Sequence, residues 1–324
     1  MSKVLLSEAI HESGTQLLEG EVEVIVCPEP TEEAIGSLIS DVEALIIRTA
    51  GNVTREMMKQ AGRLKVISRT GGGLNNVDIE AATDYNIVVC GVKGPQDRLV
   101  AEHTVALMGA LAKQFFYLDA QVRKGNFASR KEYHPKGLSG KRVGLIGLGR
   151  IGRIVADICA RAFHMEVWAY DPYVKPETSG AEDIVLKEDM SAVIRTADFL
   201  SLHVPVTENT RGLIGSAEFE LMKPGAFFIN TSRGEIVQEA ALVDALKSKK
   251  IAGAGLDVFE KEPPDVANPL FNLENVIATP HSAALTQEAV ALLAKGSAEN
   301  VLNVLQGKKP SYSPNWDKVK AKIC

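Results

Sequence analysis

The sequence predicts an α/β protein made of two doubly wound parallel-sheet domains, one inserted into the other, and three observations carry that prediction. Short apolar runs alternate with helical stretches along most of the chain, which is the pattern of parallel sheets. The run Val143-Gly-Leu-Ile146 leads into glycines at 147, 149 and 152, and a helical pattern in Ile151, Ile154, Val155 and Ile158 follows. This glycine turn comes near the middle of the chain, so a complete α/β unit precedes it.

Taken in order, the first unit has strand-like runs at Val4-Leu-Leu6, residues 22–26, Ala44-Leu-Ile-Ile47, residues 64–67 and Ile87-Val-Val89. The stretches between them at 32–40, 54–61 and 78–83 open with acids or capping residues, as helices do. Residues 99–124 keep an amphipathic pattern without proline and predict one continuous helix joining the domains. Residues 125–141 mix aromatic, basic and proline residues and read as an exposed loop. Beyond the glycine turn, strands are expected at Val167-Trp-Ala-Tyr170 and at 199–203, 226–230, 252–258 and 276–278. A helix is expected at 239–250, whose closing Lys-Ser-Lys-Lys suits a solvated C-terminus. The helical pattern at 286–305 follows a completed second sheet and is expected to cross back to the first domain. The segment from Pro310 is short, basic and proline-containing and gives no basis for assigning it order. The domains are therefore residues 1–98 with 286–324, and residues 99–285.

A length of 324 residues suits two domains of ordinary size. The net charge of −5 argues against a general nucleic-acid binder, which shows a basic face. No apolar run is long enough to cross a bilayer, and the N-terminus soon turns acidic, so a cytoplasmic protein is expected. Cys27, Cys90, Cys159 and Cys324 are scattered without C-x-x-C spacing, which indicates reduced thiols and neither a disulfide framework nor a zinc site. His and acidic residues show no ligand spacing, so no metal is expected.

Gly147, Gly149 and Gly152 form G-x-G-x-x-G between a strand and a helix, the arrangement of a Rossmann dinucleotide site. The first glycine makes the tight turn, the second lets backbone approach a pyrophosphate, and the third lets helix pack on strand. Asp171 ends the next apolar run, about 20 residues on, where an acid holds the adenosine ribose hydroxyls. A carboxylate there repels the extra phosphate of NADP, and Pro172-Tyr-Val offers no arginine to receive it, so NAD is expected.

Ligands of open α/β sheets bind beyond the strand ends, and three polar residues follow the last three strands: Arg233, Glu262 and His281. An arginine holds a carboxylate through two parallel bonds and polarises the neighbouring carbonyl. A histidine exchanges a proton with a hydroxyl or carbonyl oxygen, and a glutamate beside it favours the charged ring. With a nicotinamide nearby, this set is what reversible oxidation of a 2-hydroxy acid needs. Singly, each has a structural alternative: Arg233 as a turn cap, Glu262 as a surface acid, His281 packed under a loop. His203 ends a strand and is expected to support the loop over the adenosine, while His103 lies inside a helix, either as a packing residue or as one that acts on the site through a neighbour.

Asn230-Thr-Ser-Arg-Gly-Glu, Gly253-Ala-Gly-Leu-Asp-Val-Phe-Glu-Lys-Glu-Pro-Pro264 and Thr279-Pro-His-Ser-Ala resemble the signatures of the D-isomer-specific 2-hydroxyacid dehydrogenases. Gly71-Gly-Gly-Leu-Asn-Asn-Val-Asp78 and Val100-Ala-Glu-His103 extend the resemblance over nearly the whole chain. It implies a flavodoxin-like substrate domain around the Rossmann domain and a catalytic set of Arg233, Glu262 and His281. It implies an NAD site lined by Arg150, Ile151, Asp171, His203, Val204, Pro205, Thr231, Ser232, Asp257 and Ala283, with Asp257 near the carboxamide. It implies that Gly72 and Gly73 hold the substrate carboxylate and that the long helix helps form a homodimer. Arg48, Arg69 and Arg130 match positions where phosphoglycerate dehydrogenases of the family bind the distal phosphate; equally, Arg48 and Arg69 could tie down loops and Arg130 be solvated. The family's asparagine-containing loop is here Gly91-Val-Lys-Gly-Pro-Gln-Asp-Arg98, with the longer Gln96 in place of asparagine. The expected substrate pair is D-3-phosphoglycerate and 3-phosphohydroxypyruvate, and at this length no C-terminal regulatory domain is expected. The alternatives are a hydroxypyruvate or glyoxylate reductase and, from another class, an NAD-sensing corepressor-like protein. Glu262 argues against a formate dehydrogenase, which carries glutamine there.

Overall fold

Strands that are apolar along their whole length need cover on both faces, and the computed structural model, which describes residues 1–48, 51–94, 96–175 and 183–319, supplies it. The chain divides into two compact units, Met1–Gln96 with Leu285–Cys324, and Asp97–Ala284.

In the first unit, β1 (Lys3–Leu6), β2 (Glu23–Val26), β3 (Ala44–Ile47), β4 (Val66–Arg69) and β5 (Val88–Gly91) form a parallel sheet in the order β2-β1-β3-β4-β5. This is the flavodoxin-like order, with its switch point between β1 and β3. The pleat divides each strand: Leu5, Leu45 and Ile47 enter the core on one face, Val4, Leu6, Ala44 and Ile46 that on the other. The first face is covered by α2 (Glu32–Leu38), α3 (Arg55–Gln60) and α4 (Ile79–Asp84), whose N-caps Thr31, Thr54 and Asp78 accept from the third amide beyond. The second is covered by α1 (Glu12–Leu18) and α11 (Gln287–Leu305), the latter capped by Thr286. The helix expected at 286–305 therefore does return to the first sheet.

Within the segment from Pro310 the described residues 310–319 lead into α12 (Trp316–Val319). Buried Asn315 explains this: its Oδ1 accepts from Val89 N (2.9 Å) and its Nδ2 donates to Ile87 O (2.9 Å), so the side chain pairs the open edge of β5. Cys324 lies outside the described residues, whereas Cys27, Cys90 and Cys159 are buried free thiols.

The second unit holds β6 (Arg142–Ile146), β7 (Glu166–Tyr170), β8 (Ile184–Lys187), β9 (Phe199–Leu202), β10 (Phe227–Asn230), β11 (Gly253–Leu256) and β12 (Val276–Ala278). They form a parallel sheet in the order β12-β11-β10-β9-β6-β7-β8, switching direction between β6 and β9. One face packs on α5 (Asp97–Lys113) and α7 (Arg150–Phe163), the other on α8 (Met190–Thr196), α9 (Ser216–Leu221) and α10 (Glu239–Lys247). The edge strand β8, only partly buried, was not among the expected strands.

The continuous helix expected at 99–124 is broken. Gln114 is left-handed (φ 53°, ψ 40°) and separates α5 from α6 (Phe115–Arg123). The physical reason is burial: α5 buries one stripe up to Ala112, whereas α6 buries no residue, so nothing holds the second stretch to the first axis.

Candidate active site

The glycine turn after β6 divides its labour. Gly147 has φ 98°, and a Cβ there would lie 2.5 Å from His203 O. A Cβ on Gly152 would run into Gly147 O, so the first and third glycines answer to packing. Around Gly149 a Cβ would meet nothing within 4 Å. That opening faces the start of α7, where Gly149 is the N-cap and no side chain caps the helix, leaving backbone amides for an anion. Asp171 accepts from Leu148 N (2.8 Å) and Tyr173 N (2.9 Å), which fixes its carboxylate beside the turn. Exposed Arg150 pairs with Asp97 (Nε–Oδ2 2.7 Å), and Ile151 packs into the core beneath. His203 directly follows β9 at the switch point and meets Ser201 Oγ at 2.9 Å; burial pushes its pKa down to about 4, so it is neutral near pH 7. Val204 lies against the Gly147 turn, and Pro205 O accepts from Thr210 Oγ1. A cradle with room at the second glycine, free amides and a placed carboxylate fits a dinucleotide.

Arg233, Glu262 and His281 follow β10, β11 and β12, which are neighbours in the sheet, so their loops emerge side by side. Buried Asn230 shapes the first loop: its Oδ1 accepts from Ser232 N (3.0 Å) and Oγ (2.8 Å), and its Nδ2 donates to Arg233 O (2.8 Å). Arg233 Nη1 donates to Ser232 O (2.6 Å). A Cβ on Gly234 would collide with the Phe259 backbone, so glycine is what lets this loop lie against the one bearing Glu262.

His281 Nδ1 and Glu262 Oε2 are 2.7 Å apart, and Glu262 Oε1 accepts from Phe259 N (3.1 Å). Burial alone would push the Glu262 carboxyl up. The hydrogen bond and charge of His281, the Phe259 amide and the charge of Arg233 outweigh it and hold the carboxyl below the usual range. Glu262 is thus the acceptor, and His281 Nδ1–H the donor, which leaves His281 Nε2 for chemistry. Arg233 and His281 both act on one carboxylate, so the structure brings the three together.

Asp257, 1% exposed, accepts from Thr279 Oγ1 (2.5 Å), Ser282 N (2.9 Å) and Ala283 N (2.9 Å). Its backbone O accepts from His281 N (2.8 Å). Its carboxylate therefore ties the loop that carries His281, a role beyond the carboxamide contact expected of it. Thr231 is buried at the end of β10, with Ser232 beside it.

The expected anion-binding residues Arg48, Arg69, Gly72, Gly73 and Gln96 belong to the first unit. Arg48 directly follows β3 at the switch point and pairs with Glu8 (3.3 Å). The Arg69 guanidinium folds over Gly71, and the Gln96 amide and the Lys93 stem lie over Gly72. Gly73 is half-buried in the same loop. Gln96 is buried, and its Nε2 donates to Val92 O (3.0 Å). In the second unit Arg130 is exposed and lies 5.2 Å from the Phe127 ring centroid. No cluster of three or more His, Cys, Asp or Glu that could hold a metal occurs among the described residues, and none of their helices is long and apolar enough to cross a membrane.

Sequence reasoning passed over Asn230, Thr279 and Thr104 as site residues. Asn230 carried a signal, an Asn before Thr-Ser at a strand end, which favours a side-chain-closed turn. Thr104 carried none, since its partner is far away in sequence.

Comparison with known proteins places this geometry. Residues 105–283 match the model for "D-isomer specific 2-hydroxyacid dehydrogenase, NAD binding domain". The chain is 41% identical over 308 residues to the D-3-phosphoglycerate dehydrogenase of Methanocaldococcus jannaschii, covering 95% of this chain and 58% of that protein. The first curated relatives are thus longer, and this chain spans about three-fifths of their length. It is 37% identical to the glyoxylate reductase of Thermococcus litoralis, covering 97% of each. Among solved structures it is similar to the TT0316 protein of Thermus thermophilus, at a TM-score of 0.88 and 31% identity over 96% of this chain and 99% of that one. With an NAD-binding domain matched across more than half its length and the glycine cradle intact within it, the chain belongs to the D-isomer specific 2-hydroxyacid dehydrogenase family.

Proposed function

We propose that this protein is an NAD-dependent oxidoreductase that interconverts a D-2-hydroxy acid and its 2-oxo acid. The observation that carries the reading is the His281–Glu262 bond of 2.7 Å beside Arg233, on adjacent strand ends of a dinucleotide-type sheet. In the oxidative direction His281 Nε2 takes the proton of the C2 hydroxyl. Glu262 stabilises the resulting imidazolium and fixes which nitrogen faces the substrate. Arg233 holds the carboxylate and polarises the C2 oxygen as its carbonyl forms. Bound NAD supplies the acceptor for the C2 hydride. In reverse, the imidazolium returns the proton to the oxygen as hydride arrives at C2. Arg233→Ala should lower kcat/KM for every 2-oxo acid at least a thousandfold, about 4 kcal/mol, while the Kd for NADH stays within threefold. Lost NADH binding, or retained turnover, would overturn the assignment.

For the substrate, D-3-phosphoglycerate and 3-phosphohydroxypyruvate are supported by Arg48, Arg69 and Arg130 and by the similarity to the phosphoglycerate relatives. One observation favours the alternative, a hydroxypyruvate or glyoxylate reductase: Glu8 already neutralises Arg48. Comparing kcat/KM for 3-phosphohydroxypyruvate, hydroxypyruvate and glyoxylate decides between them. A hundredfold preference for the phosphorylated acid, about 2.7 kcal/mol, supports the first; a preference for the others makes those arginines structural. The acting form is proposed to be a homodimer.

A further inference from the structure

The two loops that carry Arg233 and His281 are each tied to the same helix, by consecutive residues. Thr104 Oγ1 of α5 donates to Val100 O (2.8 Å) and lies 2.7 Å from Thr231 Oγ1. Its single proton is committed to Val100, so Thr231 is the donor and Thr104 the acceptor. Thr231 stands two residues before Arg233. One position earlier, His103 Nε2 lies 3.1 Å from Thr279 Oγ1. The Thr279 hydroxyl gives its proton to Asp257 Oδ1 (2.5 Å), so His103 Nε2 must be the donor. Thr279 stands two residues before His281.

The second tie holds a backbone that needs holding. His281 has φ 52°, left-handed for a residue with a side chain, a state that persists where its surroundings fix it. The surroundings are Asp257, which accepts from Thr279, His281, Ser282 and Ala283, with His103 closing the set from the helix. Thr104 is fully buried and the side chains of Asp257 and His103 are 1% and 24% exposed, so water competes little for these bonds.

We propose that His103 and Thr104 are positioning residues: Thr104 sets Arg233 through Thr231, and His103 sets His281 through Thr279 and Asp257. The inference rests on the dehydrogenase reading for its kinetic consequences and on geometry alone for its structural ones. Arg233 holds the substrate carboxylate throughout the reaction and also polarises the C2 oxygen, whereas His281 moves a proton only in the transition state, so a small displacement should fall mainly on KM for the first and mainly on kcat for the second.

The test is steady-state reduction of hydroxypyruvate by NADH, with amide hydrogen exchange on the same variants. Thr104→Val, which keeps the shape and removes the acceptor, should raise KM for hydroxypyruvate about tenfold with kcat changed less than threefold. His103→Leu should lower kcat about tenfold with KM changed less than threefold. Thr104→Ser and His103→Gln, which restore the acceptor and the donor, should recover most of each loss. Exchange should quicken at Thr231 and Ser232 in the first variant only, and at Ser282 and Ala283 in the second only. Equal losses in kcat and KM accompanied by a general drop in unfolding midpoint, or unchanged exchange in both loops, would overturn the proposal. A wild-type protein inert toward all 2-oxo acids would instead overturn the dehydrogenase reading, and the exchange pattern would still decide this one.

Discussion

His203 and His281 show how placement decides what a histidine does. His281 keeps one nitrogen on Glu262 and the other for chemistry, with its side chain a third exposed. His203 is half-buried beneath the glycine turn, where desolvation disfavours the imidazolium and pushes its pKa down to about 4. That has a consequence for stability. In the unfolded chain the ring titrates near 6.5, so above that pH neither state carries the proton and the folded form keeps its full stability. As pH falls from 6.5 towards 4 the unfolded state gains protons that the folded state refuses, and roughly 3 kcal/mol is lost. Urea unfolding of the wild type at pH 7.0, 5.5 and 4.5 should show this decline, and His203→Gln should flatten it. Above about pH 5 the window is clear of the depressed carboxyls Glu43, Asp198 and Glu262, which below it add a loss of their own as the unfolded carboxylates take up protons. A variant as pH-sensitive as the wild type would assign the decline to other groups.

Among elements, those legible in the sequence were the ones whose signal is local. The strands β1, β3, β6 and β10 are apolar on both faces and stood out as unbroken runs, and the helical pattern at 286–305 marked α11, which Thr286 caps. The glycine turn and the three strand-end residues were readable because turn chemistry and sheet topology constrain a few positions tightly. What was not readable depends on tertiary partners. The break at Gln114 lies inside a pattern that continues through it, and β8 is an edge strand with one flank uncovered. Order beyond Pro310 depends on Asn315 reaching β5, and the ties of His103 and Thr104 reach across 176 and 127 residues. The contact between α1 and α11 belongs to the same class and can be tested. A Cβ on Gly14 would lie 2.7 Å from Ala294 O and 2.9 Å from Ala294 C, both backbone atoms of α11 that cannot swing aside. Gly14→Ala, normally favourable in a helix, should therefore lower stability by about 1–3 kcal/mol. The measurement is the shift in urea midpoint, and a stabilised variant would show that the helices part at little cost.

At the scale of the molecule, apolar residues left outside the cores are as informative as those within. Most exposed ones are scattered singly, which is ordinary for a protein surface. Residues 115–127 differ: Phe115, Phe116, Val122 and Phe127 are each more than half exposed, on α6 and the turn after it. No residue of α6 is buried, so this helix gains little from its own chain. An aromatic side chain can cover 150–250 Å², and a stable association needs about 800 Å² per partner, so three phenylalanines would form the centre of such a face. The proposed homodimer gives them a partner and gives the helix a reason to persist. Sedimentation equilibrium at about 10 μM, a concentration well above the Kd of a tight homodimer, should then return twice the chain mass. The double variant Phe115→Asp, Phe116→Asp should return the single mass with its circular dichroism unchanged, because neither side chain supports a core. A wild-type protein of single mass at that concentration would refute the dimer. A double variant that remained dimeric would move the interface away from α6, and exposed phenylalanines would then need another explanation.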